Sequence, residues 1–489
     1  MLALPTATSM PSVTSLYRSS LPDARTLDRM SVREASHLLE GLHASPNSPL
    51  LQNIQDSVPE LSSLGNWYKP PRGLSNGHVQ TIAAAKLRRT RAVKYYRDLV
   101  TTPDGGTLAV DILAGLQRKV NRDPSSRWSS MLAGGAVAGA SEDAKRRDTL
   151  FVDEPPPVDP TRPLLLLTSG LGGGSQDTYV RSMAATAAER GWQVAVVNMR
   201  ACGDSPVTSP RMFSAYRGAN DDLRFVVQHL RETRLDGAAC GTPVAVIGWS
   251  NSGTILNNVL AEQATTHKPD GSEAGGASQT SIIDAGAALA TPFDMPSSIT
   301  HLETQLWHSN VYDRNLGASL RNLWVSARPQ FIDPTTDAPR PVPLWDGLGE
   351  DAGTFLVDDH LCRTATSIRQ LDEGVTRRQY GYASVDEYYE NASSDQRLGM
   401  IETPLLCLNA YDDPIAPGAS LIRALRNARD NPNVLLGITA HGGHLGWCER
   451  GDPWGGSTWV ERATCGFLES ALGVVPTEEC DQLSCTVFD

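Results

Sequence analysis

Apolar positions follow two different spacings along this chain. From residue 163 onward, short apolar runs alternate with stretches in which apolar residues recur every three or four positions. The short runs predict strands at residues 164–168, 194–198, 244–247, 282–289, 405–409 and 434–439. The helical spacing links Val180, Met183, Ala184 and Ala187, then Leu223, Val226, Val227 and Leu230, then Ile255, Leu256, Val259 and Leu260. Strands that alternate with helices in this way predict an α/β fold with a mostly parallel central sheet flanked by helices.

The N-terminal third of the chain has a different pattern. Residues 97–112 predict a β-hairpin whose turn is Asp104-Gly105-Gly106. Residues 1–65 are rich in Ser, Pro, Leu and Thr and predict a partly ordered extension, with a short helix near residues 32–42. Residues 115–160 predict a flexible insertion, and residues 476–489 form a polar C-terminal tail. The main domain is therefore expected at residues 66–475.

The regular alternation stops within residues 295–396, and aromatic residues become frequent there. They are Trp307, Trp324, Phe331, Trp345, Phe355, Tyr380, Tyr382, Tyr388 and Tyr389. An insertion between the later strands is expected to form a cap over a site. The alternative, that these side chains only form a small satellite core, has equal support from the sequence.

Composition indicates the class of protein but not its chemistry. Of the 489 residues, 40% are hydrophobic and 20% are charged, which is typical of a globular protein with a large core. The net charge of −12 argues against nucleic acid as a partner, because neutralising phosphates requires clustered Lys and Arg. The basic runs at residues 86–89 and 145–147 are short and are predicted to lie on the surface.

The eight cysteines are scattered, without a CxxC pair or a Cys/His cluster spaced for zinc. Reduced thiols are expected, and neither a metal nor a cofactor is predicted. The spacing of Cys480 and Cys485 does not decide whether they pair. No apolar run reaches the ~18 residues of a membrane-spanning helix, and the first residues lack a secretory pattern. A cytoplasmic or peripheral membrane protein is expected; the sequence predicts no oligomeric state.

One predicted turn carries a candidate nucleophile. Gly248-Trp249-Ser250-Asn251-Ser252-Gly253 lies between a predicted strand and a predicted helix. This is the context of a nucleophile elbow, in which small neighbouring residues permit a sharp turn. Gly248 meets that requirement, whereas Ser252 stands where a second glycine is usual. Ser250 is therefore the predicted nucleophile.

A serine hydroxyl needs a base to take its proton and an acid to orient that base. The acid and the histidine are expected after the serine, in that order. Asp413 follows the predicted strand at residues 405–409 and begins the pattern D-x-x-x-P; Asp412 is the alternative. His444 follows two glycines after the last predicted strand, and His441 is the competing base. Asp413 and His444 are the predicted partners of Ser250.

An acyl-transfer reaction also needs two donors to its oxyanion. One is expected to be the backbone amide of Asn251, directly after the nucleophile. The other is assigned to the backbone amide of Leu171 in the glycine-rich loop that follows residues 164–168. A phosphate-binding loop is the alternative for these glycines, but neither G-K-S/T nor G-x-G-x-x-G spacing is present. Together the residues predict a serine hydrolase of the α/β-hydrolase fold.

Several further motifs resemble one branch of this fold. Asn76-Gly77-His78-Val79-Gln80-Thr81 is similar to the G-H-x-Q-T motif of the AB-hydrolase family, which includes YheT-like esterases, ABHD phospholipase-type enzymes and yeast medium-chain ethyl ester synthase/esterases. The resemblance covers residues 76–472. It includes the hairpin turn at residues 102–106, the runs 198–206 and 209–211, and residues 291–294 and 386–394.

This resemblance implies cleavage or transfer of acyl groups of medium-chain or lipid-like esters through an acyl-Ser250 intermediate. It implies a small-molecule ester or lipid substrate and allows peripheral membrane contact. An alcohol acyltransferase and a non-catalytic binder of hydrophobic ligands are the alternative functions. Two residues depart from the family pattern, since Ser252 and Ala201 stand where glycine is usual.

Overall fold

The computed structural model describes residues 39–46, 48–62, 67–116, 148–235, 241–265, 282–349, 352–450 and 457–475. Most of the predicted insertion, residues 117–147, lies outside these ranges, as do the predicted C-terminal tail, Cys480 and Cys485. The basic run at residues 145–147 also lies outside them.

A ten-stranded sheet runs through the described residues. Its strands are β1 (Gly41–His43), β2 (Val93–Thr101), β3 (Thr107–Leu116), β4 (Thr149–Val152), β5 (Leu164–Thr168), β6 (Gln193–Asn198), β7 (Val244–Trp249), β8 (Ala285–Leu289), β11 (Leu405–Ala410) and β12 (Val434–Thr439), while β9 (Val342–Pro343) and β10 (Thr354–Phe355) pair separately. The order is β1-β12-β11-β8-β7-β5-β6-β3-β2-β4. Neighbours from β12 to β6 are parallel, whereas β3 is antiparallel to β6 and β1 to β12. The predicted mostly parallel sheet is confirmed.

Helices cover both faces of this sheet. They are α1 (Pro49–Ser57), α2 (Gly77–Leu87), α3 (Thr178–Glu189), α4 (Gly218–Arg234), α5 (Asn251–Thr265), α6 (Met295–Thr304), α7 (Leu306–His308), α8 (Arg314–Ala327), α9 (Asp359–Thr364), α10 (Ile368–Leu371), α11 (Arg377–Gln379), α12 (Val385–Ala392), α13 (Leu421–Ala428) and α14 (Trp459–Leu472). Two π-helical turns, Ser309–Asp313 and Asp372–Thr376, interrupt the helices between β8 and β11. Of the helices in the described ranges, none has the length and apolar character needed to cross a membrane.

Alternate residues of each central strand belong to different cores. In β5, Leu164 and Leu166 belong to one apolar cluster together with residues of α4 and α5, while Leu165 and Leu167 belong to a second cluster with residues of α3 and α14. Both faces are apolar because both are covered, which explains why the strands read as continuous apolar runs. Each fully buried leucine contributes about 2 kcal/mol of transfer free energy.

The structure corrects three local predictions. The helix near residues 32–42 is wrong at its C-terminal end, because Gly41–His43 is an edge strand paired with β12. The strand predicted at residues 282–289 begins at Ala285, although Ile283 before it is also buried. Arg88, predicted at the surface, is buried and donates to the Gly446 carbonyl. Burial alone does not distinguish a strand from the loop that precedes it.

Most aromatic residues between β8 and β11 pack against the main core. Trp324 and Phe331 are fully buried, lie 5.2 Å apart between ring centroids, and join the same apolar cluster as β5 and α4. Trp307 is instead 58% exposed, and Tyr388 faces a cavity. The region therefore both extends the core and contributes part of the wall of a cavity.

Candidate active site

Ser250 occupies a strained turn between β7 and α5. Its φ is +52°, in the left-handed region that side chains disfavour, and its amide donates to the Leu289 carbonyl at 2.8 Å. A Cβ on Gly248 would lie 2.3 Å from the Ser252 carbonyl oxygen, so this position requires glycine. The local sequence thus folds into the sharp turn expected of a nucleophile elbow, with Ser250 at its apex.

The structure brings Ser250, His444 and Asp413 together. His444 Nε2 lies 3.0 Å from Ser250 Oγ, and His444 Nδ1 lies 2.7 Å from Asp413 Oδ2. The other carboxylate oxygen, Asp413 Oδ1, accepts from the amides of Ile415 and Ala416 at 2.7 and 2.9 Å, which holds the side chain in place. A proton on Nδ1 then bonds to Asp413, which leaves Nε2 to accept the serine proton.

The alternative residues form a separate pair. Asp412 Oδ2 lies 3.1 Å from His441 Nδ1, and Asp412 Oδ1 accepts from the Gly443 amide at 2.9 Å. The hydrogen bond and charge of Asp412 raise the pKa of His441 above its ordinary value, although burial opposes them. The pair fixes the glycine loop that carries His444.

Sequence reasoning missed what holds His444 in place. The Thr81 hydroxyl accepts from the His444 amide at 2.8 Å and donates to the Gly77 carbonyl at 2.7 Å. Gln80 accepts from the Tyr68 hydroxyl at 2.8 Å and from the Cys448 amide at 3.1 Å. The G-H-x-Q-T motif of α2 was the available signal, but a motif does not indicate which distant loop it contacts.

Leu171 and Asn251 both line the cavity next to Ser250 and His444. Asn251 is the first residue of α5, so its backbone N–H has no acceptor within the helix. The Leu171 loop is held by the Gly170 amide, which donates to Tyr179 Oη at 2.9 Å. A Cβ on Gly170 would lie 3.3 Å from Ser250 Cβ, so glycine allows the loop to approach the serine closely.

Ser252 replaces a glycine without disturbing the turn. Its hydroxyl donates to the Ser169 carbonyl and accepts from Thr168 Oγ1 at 3.0 Å. Both partners lie at the end of β5, where the Leu171 loop begins. Ala201 is the second residue that stands where the family pattern has glycine. Its φ is +63°, in the left-handed region, which explains why glycine suits that position.

A cavity of about 320 Å³ opens beside Ser250. Its wall includes Phe213, Met295, Ile299, Leu302, Leu316, Ile368, Ile415 and Leu445, with Asp372 and Tyr388 among the polar members. Burial lowers the pKa of His301 in α6 below its ordinary value and that of His308 in α7 to about 4, so burial disfavours a positive charge on either ring. The cavity suits a largely apolar ligand. Within the described ranges, no three His, Cys, Asp or Glu side chains are arranged to hold a metal ion.

The strand order and the elbow after β7 define an α/β-hydrolase fold, as predicted. The chain is 29% identical over 420 residues to embryogenesis-associated protein EMB8 of Picea glauca, covering 86% of this chain and 76% of that protein. It is 27% identical to a monoacylglycerol lipase of Saccharomyces cerevisiae, covering 85% of this chain and 83% of the lipase. It is 25% identical to phospholipase ABHD3 of Mus musculus, covering 81% of this chain and 76% of the phospholipase.

The chain is also 25% identical to medium-chain fatty acid ethyl ester synthase/esterase 2 of Saccharomyces cerevisiae, covering 84% of this chain and 87% of that protein. The resemblance to ABHD phospholipases and ethyl ester synthase/esterases is therefore confirmed: the chain is homologous to them. No family model matches the chain. Among solved structures, an esterase of Pyrococcus furiosus is 14% identical with a TM-score of 0.40, covering 82% of this chain and 98% of the esterase.

Proposed function

We propose that this protein is a serine ester hydrolase that cleaves or transfers acyl groups of lipid-like or medium-chain esters. The 3.0 Å approach of Ser250 Oγ to His444 Nε2, beside a largely apolar cavity, is the observation that supports this proposal most strongly. The relatives named as lipase, phospholipase and ester synthase/esterase support the same class of reaction.

In the proposed reaction, Ser250 Oγ attacks the ester carbonyl while His444 Nε2 takes the hydroxyl proton. Asp413 holds the imidazole in the required tautomer and stabilises its positive charge. The amides of Leu171 and Asn251 donate to the oxyanion of the tetrahedral intermediate. His444 then protonates the departing alcohol, and an acyl-Ser250 ester remains.

The second half of the reaction decides between hydrolysis and acyl transfer. His444 removes a proton from water or from an alcohol, which attacks acyl-Ser250 and restores the free serine. Both outcomes use the same residues, and the partition depends on how well the cavity excludes water. Supplying ethanol or glycerol with a decanoyl ester and quantifying the new ester against decanoic acid measures this partition.

Replacing the nucleophile tests the proposal directly. Ser250→Ala is expected to lower turnover of p-nitrophenyl octanoate by about a thousandfold or more, because the remaining groups cannot form the acyl-enzyme. A fluorophosphonate probe is expected to label the wild-type protein and not the variant. Ser57→Ala, which alters an exposed serine of α1, serves as the matched control and should retain turnover.

Unchanged turnover in Ser250→Ala would remove this serine from the mechanism. A folded wild-type protein that neither turns over esters nor labels would instead favour the non-catalytic binder. Circular dichroism of each variant separates loss of chemistry from loss of fold.

A further inference from the structure

The cavity beside Ser250 contains one buried carboxylate that the proposed reaction does not use. Asp372 lines the cavity and is 5% exposed. It is the first residue of the π-helical turn Asp372–Thr376, between α10 and α11. Such turns are rare and occur frequently at functional sites, because the extra residue changes where side chains point.

The protein satisfies this carboxylate only in part. Tyr389 Oη donates to Asp372 Oδ2 at 2.8 Å. An ionised carboxylate can accept about four hydrogen bonds, so this donor leaves acceptor positions unused. Burial raises the pKa of Asp372 to about 6, so the group is mostly ionised at neutral pH.

The cations of this region do not form an ion pair with Asp372. Arg369 bonds to Glu303 and Asp386 at 2.7 and 2.5 Å, and its guanidinium lies 5.4 Å from the Tyr389 ring centroid. No ion pair with Asp372 occurs in the ranges that the structure describes.

The apolar cavity wall around this carboxylate favours ligands that bring a hydrogen-bond donor to it over ligands that bring only hydrocarbon. Leu302, Leu316 and Ile368 share the cavity with Asp372. A plain hydrocarbon chain against the carboxylate would remove water without replacing its hydrogen bonds, which is unfavourable. A ligand hydroxyl would supply the missing donor, and a few such polar groups commonly orient ligands in apolar pockets.

We propose that Asp372 binds a hydroxyl group of the ester substrate, so that this protein prefers hydroxylated esters to plain alkyl esters. The inference rests on the proposed function and names the substrate class of the same site. The hydroxyl belongs either to a polyol alcohol such as glycerol or to a hydroxylated acyl chain. Asp372 is a binding residue here and takes no part in proton transfer at Ser250.

Three esters with ten-carbon acyl chains test this inference: ethyl decanoate, 1-decanoylglycerol and ethyl 10-hydroxydecanoate. The measured quantity is kcat/KM of each hydroxylated ester divided by that of ethyl decanoate. Asp372→Leu removes the acceptor and is expected to lower this ratio by about 10- to 100-fold, as loss of a hydrogen bond to a charged group does. The ester whose ratio falls identifies the source of the hydroxyl.

Asp372→Asn keeps the size of the side chain and decides the outcome if the leucine variant fails to fold. It is expected to lower the ratio about tenfold, because a neutral amide is a weaker acceptor than a carboxylate. Asp313→Asn is the matched control, since Asp313 is a buried aspartate of the other π-helical turn that bonds to the Ile368 amide and does not line the cavity. Its ratio should stay unchanged.

Fluorophosphonate labelling of Ser250 separates the two proposals. If the Asp372→Asn variant is labelled and its kcat/KM ratio is unchanged for both hydroxylated esters, the role of Asp372 is overturned. The proposed hydrolase activity then still stands. An equal fall for all three esters would also overturn it, because that result indicates a structural role. Wild-type protein without labelling or turnover would overturn the proposed function and this inference together.

Discussion

At the residue scale, the Ser252 side chain links the elbow to a neighbouring loop. Its hydroxyl connects α5, which begins directly after Ser250, to Thr168 and Ser169 at the start of the Leu171 loop. The turn that carries the proposed nucleophile and the loop that carries one proposed oxyanion donor are therefore joined through a single buried hydroxyl. A glycine at position 252 would fit the turn but could not make this connection.

Ser252→Ala is expected to lower kcat about 3- to 30-fold and to leave KM nearly unchanged, because oxyanion stabilisation acts on the transition state. Steady-state kinetics with p-nitrophenyl octanoate measure the two constants. Ser252→Gly should behave alike, since it also lacks the hydroxyl. Ser420→Ala, which removes a buried hydroxyl bonded within its own turn, is the control. A rise in KM at constant kcat would contradict this role.

The pairing of acids and histidines also belongs to the residue scale. Asp412 and Asp413 are adjacent, and His441 and His444 are three residues apart, so the sequence alone favoured one pairing without excluding the other. In the folded chain Asp413 faces His444 and Asp412 faces His441. Side-chain direction after a strand depends on the turn, and this is not encoded in spacing.

At the scale of elements, Arg200 joins three parts of the fold. Its guanidinium donates to Asp104 in the β2–β3 turn at 2.7 and 2.9 Å, and to Asp222 of α4 at 2.7 Å. Burial would raise the pKa of Asp104, but the hydrogen bonds and charge of Arg200 outweigh it and hold this pKa well below its ordinary value. For Asp222, which is more deeply buried, the effect of burial prevails and the pKa is raised.

Asp104→Asn is expected to lower the free energy of unfolding at pH 7 by about 2 kcal/mol, the size of a hydrogen-bonded charge interaction. Because the folded pKa is depressed, this contribution is present above the unfolded pKa of about 4 and is lost as the pH falls towards the folded value. Urea unfolding at pH 7 and at pH 3 measures the difference. Asp430→Asn, at an exposed position, should change stability little at either pH. If Asp104→Asn lowers the free energy of unfolding by the same amount at pH 7 and at pH 3, the link between this pKa and stability is refuted.

The elements themselves were predictable where local spacing and burial agree. The strands at residues 164–168 and 434–439 have the predicted bounds, because β5 and β12 are apolar on both faces and are flanked by polar turns. The π-helical turns at Ser309–Asp313 and Asp372–Thr376 had no sequence signal, since they depend on packing between helices rather than on a repeat.

At the scale of the whole molecule, five cysteines of the described ranges are buried in separate parts of the fold. Cys202, Cys362, Cys407, Cys448 and Cys465 are buried and unpaired. Burial raises the pKa of each thiol, that of Cys202 to about 12, so almost no thiolate is present at neutral pH. Their reactivity should therefore report unfolding of the whole domain.

A variant with Cys240, Cys480 and Cys485 replaced by serine retains only these five thiols. We expect no reaction with Ellman's reagent in the native state, and five thiols after denaturation in guanidinium chloride. The native protein should also retain ester turnover during the incubation. A thiol that reacts within seconds in native protein would contradict the burial of these side chains.

The sequence by itself determined the parallel sheet, the elbow at Ser250 and the order of the candidate acid and base, because apolar spacing and turn composition are local properties. Only the tertiary structure decided which carboxylate faces His444, what Thr81 and Ser252 support, and that Asp372 lies in the same cavity as Ser250. Those contacts join residues far apart in the chain, and they form only when the sheet brings its loops to one edge.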